Sequence, residues 1–361
     1  MKSTIKDVAR MAGVSIGTVD RVLHKRGRVS LETRQRVEKV IRDLKYQPNI
    51  FAKNLVKNEP VRLGVLMPRT EQDGEFWRLP EVGIRQAKRD LKPLNVSVRI
   101  YSYDKYSDSD FEKIAEQALQ DNLRGILIAP TQVEAARRLV SSLPAGFPFI
   151  YFDSHIPKTG ALSSVIQDSR NSGTVAARLM RLLVPGEEEV QILRFLPSDY
   201  HLEQRIKGFC KYFCGNGKKE IEILDIPGHY SGEVLAEMLD THFSGQFPRG
   251  IFVINSKIFE VADYLSNRGL GEQVALVGYD LIPQNIKFLK QGVIDFLISQ
   301  SPELQGYTGL ISLYRHLMFQ ESIDLEIRLP IEIITKENVD SYASTRSLDA
   351  FGQKVSMIYS D

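Results

Sequence analysis

The chain has 361 residues, 43% hydrophobic and 25% charged, which is long enough for two or three packed domains and excludes wholesale disorder. Its formal net charge of +2 is unevenly spread: residues 1–60 carry 14 Lys+Arg against 6 Asp+Glu, and the remainder carries 33 against 39. A basic head on an acidic body predicts a phosphate-binding module joined to a part with another task. No apolar run of about 18 residues occurs and no apolar signal core opens the chain, so a soluble, cytoplasmic protein with no membrane partner is expected.

The first expected element is a short helix from Thr4 or Ile5 to Ala12. Thr4 is placed to cap it, Asp7 complements its N-terminus, and Ile5, Val8, Ala9 and Ala12 repeat at helical spacing. Gly13 follows where a tight interhelical turn needs positive φ. Ser15 is placed to cap a second helix running to Leu23, with Val19, Val22 and Leu23 turned inward. Ser30 is placed to cap a third, Leu31 to Leu44, with Val37, Val40, Ile41 and Leu44 apolar. Three short helices with a glycine turn between the first two predict an all-α helix-turn-helix head over residues 1–47. A generic three-helix bundle is the bland alternative. Against it stand Arg21, Lys25, Arg26, Arg28, Arg34 and Arg36, clustered on and after the second helix, where phosphates would lie. A helix in the major groove reads bases with its N-terminal residues, here Ser15, Ile16, Gly17, Thr18, Asp20 and Arg21. Thr4, Arg28 and Asn49, with Ala52 and Leu55 farther on, complete the expected DNA-contacting set.

Pro48 cannot continue the third helix, and Asn49 can cap a new short one, so residues 48–60 are read as a hinge helix and linker. From Val61 the pattern changes to β-branched runs alternating with helical stretches. Val61–Met67, Val96–Ser102, Gly125–Ala129 and Phe147–Phe152 read as buried parallel strands, with helices over Phe76–Leu91, Ser109–Gln120 and Gln132–Ser142. A second set follows at Val190–Phe195, Ile221–Ile226, Gly250–Ile254 and Val274–Gly278. Helices at Asn171–Leu183, Leu202–Phe213, Gly232–Phe243, Lys257–Arg268 and Pro302–Phe319 accompany it. Two doubly wound α/β lobes over residues 61–342 follow from this rhythm, with residues 343–361 as a tail.

Ligands in such folds gather beyond the carboxyl ends of the strands. Candidates there are Phe76 and Trp77, whose rings can stack on a sugar's C–H face, with Asp153, Arg205, Asn255, Asp280 and Gln300 to hydrogen-bond a polyol. For each, capping or lobe–lobe bonding is the structural alternative. Asp168 is read as shaping the start of its helix. The single arginine suits a neutral sugar or a carboxylate. The histidines at 24, 155, 201, 229, 242 and 316 form no metal-ligand spacing, and no nucleophile elbow, P-loop or dinucleotide fingerprint occurs. Cys210 and Cys214 are read as small buried thiols. No catalytic residues, metal or cofactor are therefore expected.

The head resembles that of the lactose-repressor (LacI/GalR) family. The resemblance covers Ile5-Lys6-Asp7-Val8-Ala9, Ala12-Gly13-Val14-Ser15, Thr18-Val19, Arg21-Val22-Leu23 and Val29-Ser30, with Thr33-Arg34, Leu44 to Asn49, and Ala52 with Asn54-Leu55. Two positions depart from it. Asp20 stands where the family usually has a small hydroxyl residue, and must accept from a cytosine N4 or pair with Arg21. Gly17 stands where a larger polar side chain is usual, leaving Ile16 to touch a thymine methyl. The resemblance implies that the hinge folds on DNA and pairs with its dimer mate, Ala52 allowing close approach and Leu55 wedging into the minor groove. The alternative is a plain linker with Leu55 packed on the body. Over residues 61–340 the chain resembles the same family's periplasmic-binding-protein-like effector domain. The points of match are Leu63-Gly64-Val65, Gly74-Glu75-Phe76-Trp77, Asp168 with Ser172-Gly173, Arg205 with Gly208-Phe209, and Val274 to Asp280. In that architecture the chain crosses between lobes three times, with Ile294–Ser299 expected to return to the first lobe and Arg328–Ile334 to the second.

The resemblance implies a homodimeric transcription regulator, in the manner of a repressor. Its partners would be a roughly palindromic double-stranded DNA operator and a small-molecule, carbohydrate-class effector. A sugar-binding protein without specific DNA recognition, and an α/β enzyme fused to a DNA module, are the rival readings.

Overall fold

The computed structural model describes residues 5–23, 27, 29–44, 60–185, 189–213, 221–228 and 230–345. These form two compact units that divide after Pro60.

The first unit contains α1 (Ile5–Ala12), α2 (Ile16–Leu23) and α3 (Leu31–Asp43). Their inward residues fall where helical spacing puts them. Val8, Ala9, Ala12, Val19, Val22 and Val37 make one buried cluster, with Val14, Leu23, Val29, Val40, Ile41 and Leu44 packed around it. Gly13 has φ 62°, which lets the chain turn between α1 and α2. Ser15 Oγ accepts from Thr18 N at 3.2 Å and Ser30 Oγ from Thr33 N at 3.3 Å, so both expected caps form.

The second unit alternates strand and helix. In chain order it contains β1 (Val61–Pro68), α4 (Arg78–Leu91), β2 (Val96–Tyr103), α5 (Asp108–Gln120), β3 (Gly125–Ile128), α6 (Val133–Ser142), β4 (Phe149–Phe152) and β5 (Ser163–Gln167). It continues with α7 (Ser169–Leu183), β6 (Val190–Phe195), α8 (Tyr200–Phe213), β7 (Ile223–Ile226), α9 (Gly232–Phe243), β8 (Gly250–Val253), α10 (Ile258–Asn267) and β9 (Ala275–Tyr279). The last elements are α11 (Pro283–Lys290), β10 (Phe296–Ser299), α12 (Pro302–Phe319), β11 (Glu326–Leu329), β12 (Glu332–Ile334) and α13 (Val339–Thr345).

Two six-stranded sheets result, ordered β11-β5-β4-β3-β1-β2 and β12-β10-β9-β8-β6-β7. Among the described residues every strand pairing is parallel except β10 with β12, which is antiparallel. The continuous apolar runs β1 and β3 lie inside the first sheet, whereas edge strand β2 alternates buried and exposed side chains. Sheet and helix faces of each lobe close on separate cores, one around Leu66, Phe111 and Ile128, the other around Leu193, Val253 and Leu276.

The crossings correct the expected topology. The strand expected at Ile294–Ser299 stays in the second lobe, because α11 brings β10 directly beside its parallel neighbour β9. The chain returns to the first lobe only after Ser299, where α12 packs on α4 and under β3 and β4. Arg328 also lies in the first lobe, in β11 beside β5, and only β12 returns to the second. The crossings therefore follow β5, β10 and β11. Neither β5 nor α11 was foreseen. Cys210 is half-buried rather than buried, packed against the second-lobe core, and Cys214 lies outside the described residues.

Candidate ligand cleft and DNA-reading face

On α2 the buried side chains are Val19 and Val22. Ser15, Ile16, Gly17, Asp20 and Arg21 are exposed and Thr18 half-exposed, so the expected base-reading residues share the outward face. Ile16, apolar and 45% exposed, has the surface that a thymine methyl would cover. Thr4, Arg28, Asn49, Ala52 and Leu55 lie outside the described residues.

In the body the expected ligand residues converge from the carboxyl ends of strands in both lobes. Asp153 follows β4 and Asp280 follows β9, with φ of 66° and 72°. Aspartate is among the few side chains that tolerate this left-handed region, and it turns each carboxylate off the end of its strand. The Asp153 N–H donates to Gln305 Oε1 at 2.7 Å, and Gln305 Nε2 donates to Gln300 O at 2.9 Å. One α12 side chain thus ties a first-lobe strand end to the crossing after β10. Asn285 Nδ2 donates to the carbonyls of Ser256, Tyr279 and Asp280, fixing the loops that follow β8 and β9.

Arg205 is held deep in the second lobe at 1% exposure. Its Nη1 donates to Ile254 O at 2.8 Å, its Nη2 to Gln300 Oε1 at 3.1 Å, and its guanidinium carbon lies 3.6 Å from the Tyr279 ring centroid. Gln300 Nε2 in turn donates to Asp280 Oδ1 at 3.1 Å. Helix contact sets this depth. A Cβ on Gly173 would stand 2.0 Å from Arg205 O, and one on Gly208 1.9 Å from Arg170 O, so α7 and α8 cross backbone to backbone. Asp168 caps α7, accepting from Asn171 N at 3.0 Å, the role expected of it.

Asp153 Oδ1, Arg205 Nε and Asn285 Oδ1 of this group are buried without a hydrogen-bond partner. Burial pushes the Asp280 carboxyl up to about 7, Arg205 opposing and Asp153 adding to the rise. Burial likewise raises Asp153, against the charges of His201 and Arg205. Asn255 is buried beside them, its Oδ1 accepting from Lys257 N at 3.2 Å.

Phe76 and Trp77 pack edge to face at 5.0 Å, both buried, and the Trp77 indole N–H donates to Asp73 Oδ2 at 3.0 Å. Asp73 was missed from sequence, yet it organises one side of the cleft. It accepts from Lys105 Nζ at 2.7 Å and Tyr106 OH at 2.6 Å, while its backbone carbonyl accepts from Ser256 Oγ of the opposite lobe at 3.2 Å. Burial pushes Asp73 upward, but Lys105 and its other donors outweigh this and hold the carboxyl below its usual value. Asp199 and His201 were also not in the expected set. Asp199 Oδ1 lies 2.5 Å from His201 Nδ1 and accepts from Ser154 Oγ across the lobes at 3.3 Å. Burial raises Asp199, and His201 more than reverses it. Lys105 and Asp199 follow the ends of β2 and β6, so the strand-end rule that selected Asp153 and Asp280 points to them too.

Among the described residues no helix is long and apolar enough to cross a membrane.

A family model for the periplasmic binding protein domain matches residues 63–321, and one for bacterial regulatory proteins of the lacI family matches residues 4–49. The ribose operon repressor of Lactococcus lactis is 24% identical over 351 residues, covering 93% of this chain and 98% of that protein. The transcriptional regulator DegA of Bacillus subtilis is 26% identical over 286 residues, covering 78% and 82%. Among solved structures, a chain described as a LacI transcriptional regulator from Bacteroides fragilis superposes with TM-score 0.72 at 30% identity, over 79% of this chain and all (100%) of that one. A carbohydrate transporter solute-binding protein from Agrobacterium radiobacter, solved with D-arabinose, shares the fold at TM-score 0.68 and 21% identity, covering 81% and 98%. With a helix-turn-helix head and a two-lobed periplasmic-binding-protein body, the chain belongs to the LacI family of DNA-binding transcription regulators.

Proposed function

We propose that the protein is a cytoplasmic, homodimeric repressor whose hold on a roughly palindromic operator is set by a sugar-class effector bound between the lobes. One observation carries the effector class. Within the cleft a buried acceptor, Asp153 Oδ1, and a buried donor, Arg205 Nε, stand unmet. Leaving either so costs about 1–3 kcal/mol, and a polyol, whose hydroxyls both donate and accept, would meet both. Relatives that match over nearly the whole chain include a ribose operon repressor, and neighbours of the body include proteins solved with sugars. On the DNA side, the exposed N-terminal half of α2 supplies the reading edge, and twofold protein symmetry asks for twofold DNA.

The test has two parts. Selection from random duplexes with full-length protein should enrich a palindromic site. Thermal-shift screening against pentoses, hexoses and their derivatives should find a ligand that stabilises the body and changes affinity for that site. A protein that binds sugar yet selects no sequence would instead be a sugar-binding protein without specific DNA recognition. For the hinge, Leu55→Ala should lower specific affinity and leave weak nonspecific binding intact; unchanged specific affinity would remove Leu55 from the interface.

A further inference from the structure

The buried charges of the cleft do not balance. Lys105 is matched by Asp73 at 2.7 Å, and Lys257 has Glu260 at 3.9 Å. What remains facing the cleft is three carboxylates, Asp153, Asp199 and Asp280, against Arg205 and, when protonated, His201. All five are more than nine-tenths buried. Arg205 gives its Nη atoms to a carbonyl and an amide, not to a carboxylate. The surplus is localised. Ligand atoms of Asp153 from the first lobe, and of Asp199 and His201 from the second, all lie within 4.8 Å of one another. Asp199 Oδ1 already accepts from His201 N at 3.0 Å and from Ser154 Oγ at 3.3 Å, whereas Asp153 Oδ1 accepts from nothing.

We infer that this position holds a positive group of the effector, so that the effector is an amino sugar or amino polyol whose ammonium lies between Asp153 and Asp199. The inference rests on reading the cleft as a sugar site and narrows it. An ammonium presents three donors on one centre and supplies the missing charge, whereas a hydroxyl donates once and leaves the surplus in place. A sugar acid or sugar phosphate would add a further negative charge where Lys105 is already taken. In the ligand-free cleft protons stand in for the missing cation: burial raises Asp153 and takes Asp280 up to about 7, with Arg205 and His201 opposing, Asp199 adding to the rise of Asp153 and Asp153 to that of Asp280. An arriving ammonium therefore displaces a proton to solvent.

The test is calorimetry on the full-length protein near neutral pH, in buffers of different ionisation enthalpy. The probes are glucosamine, galactosamine and mannosamine, their parent hexoses, glucuronate, glucose 6-phosphate, and Mn²⁺ or Zn²⁺ alone. At least one amino sugar is expected to bind about tenfold or more tighter than its parent hexose. It should release up to about half a proton from Asp280 near neutral pH, which the wild-type protein alone suffices to show. Asp153→Asn, and separately Asp280→Asn, should pull the amino-to-neutral affinity ratio toward one. A parent hexose, uronate or sugar phosphate that binds as tightly or more tightly overturns the inference and leaves the sugar reading standing. A metal ion that saturates the position, lost in Asp153→Asn and with no amino-sugar preference, overturns it in favour of a cation site. No binding by any sugar overturns both readings.

Discussion

Burying a guanidinium costs several kcal/mol unless its N–H groups and its charge are met, and Arg205 is met only in part. A carbonyl, an amide and the Tyr279 face hold it in place, while Nε is buried without a partner. Arg205→Lys cannot reproduce that fork. It should weaken effector binding at least about tenfold, read by calorimetry, with a smaller effect on folding than Arg205→Ala. Asp280 makes a second prediction. Between the ordinary 3.8 and about 7, the folded cleft keeps a proton that the unfolded chain has released. The ligand-free protein should therefore lose stability as pH rises through that window, and Asp153 acts in the same direction. Asp73 and Asp199, held low, act oppositely, withdrawing stability as pH falls below 3.8. Thermal melts from about pH 4 to about pH 8 should show a shallower decline in Asp280→Asn; an unchanged slope would mean that Asp280 is ionised throughout. Arg205, Asp280 and Gln300 were legible in sequence because each follows a strand or opens a helix at the strand ends. The Asp73–Lys105 pair was not, because its members are 32 residues apart and neither carries a local motif.

The cleft is only as precise as the helices that carry it, and α7 crosses α8 backbone to backbone. Gly208→Ala would drive a methyl into Arg170 O and push α8, and Arg205 with it, away from the cleft. It should cost about 1–3 kcal/mol and weaken effector binding. Gly232→Ala, at the open start of α9 with nothing within 4 Å, should leave both unchanged. In the head, Ser30→Ala removes the α3 cap and should cost about 1 kcal/mol in urea melts of the full-length chain. Period made most elements readable: 3.6 for α1 to α3, and continuous apolar runs for β1 and β3. β5 escaped because it is buried on both faces yet opens with Ser163 and Ser164, which read as a turn. The destination of β10 escaped for another reason. A strand's run of apolar residues says that it is buried, but only its neighbour says in which sheet.

At the scale of the molecule, a small basic unit with its own core is joined to a two-lobed body whose facing groups bond across the cleft, Ser154 to Asp199 and Ser256 to Asp73. A ligand that favours one arrangement of the lobes can alter DNA affinity only through its difference in affinity for the two states, and linkage makes that effect reciprocal. The decisive measurement is a linked titration of the full-length protein. Affinity for its selected operator is measured with and without saturating effector, and affinity for effector with and without saturating operator. Both should change by the same factor, about 5- to 150-fold. Operator affinity that stays constant while the effector saturates the cleft would contradict a ligand-controlled regulator.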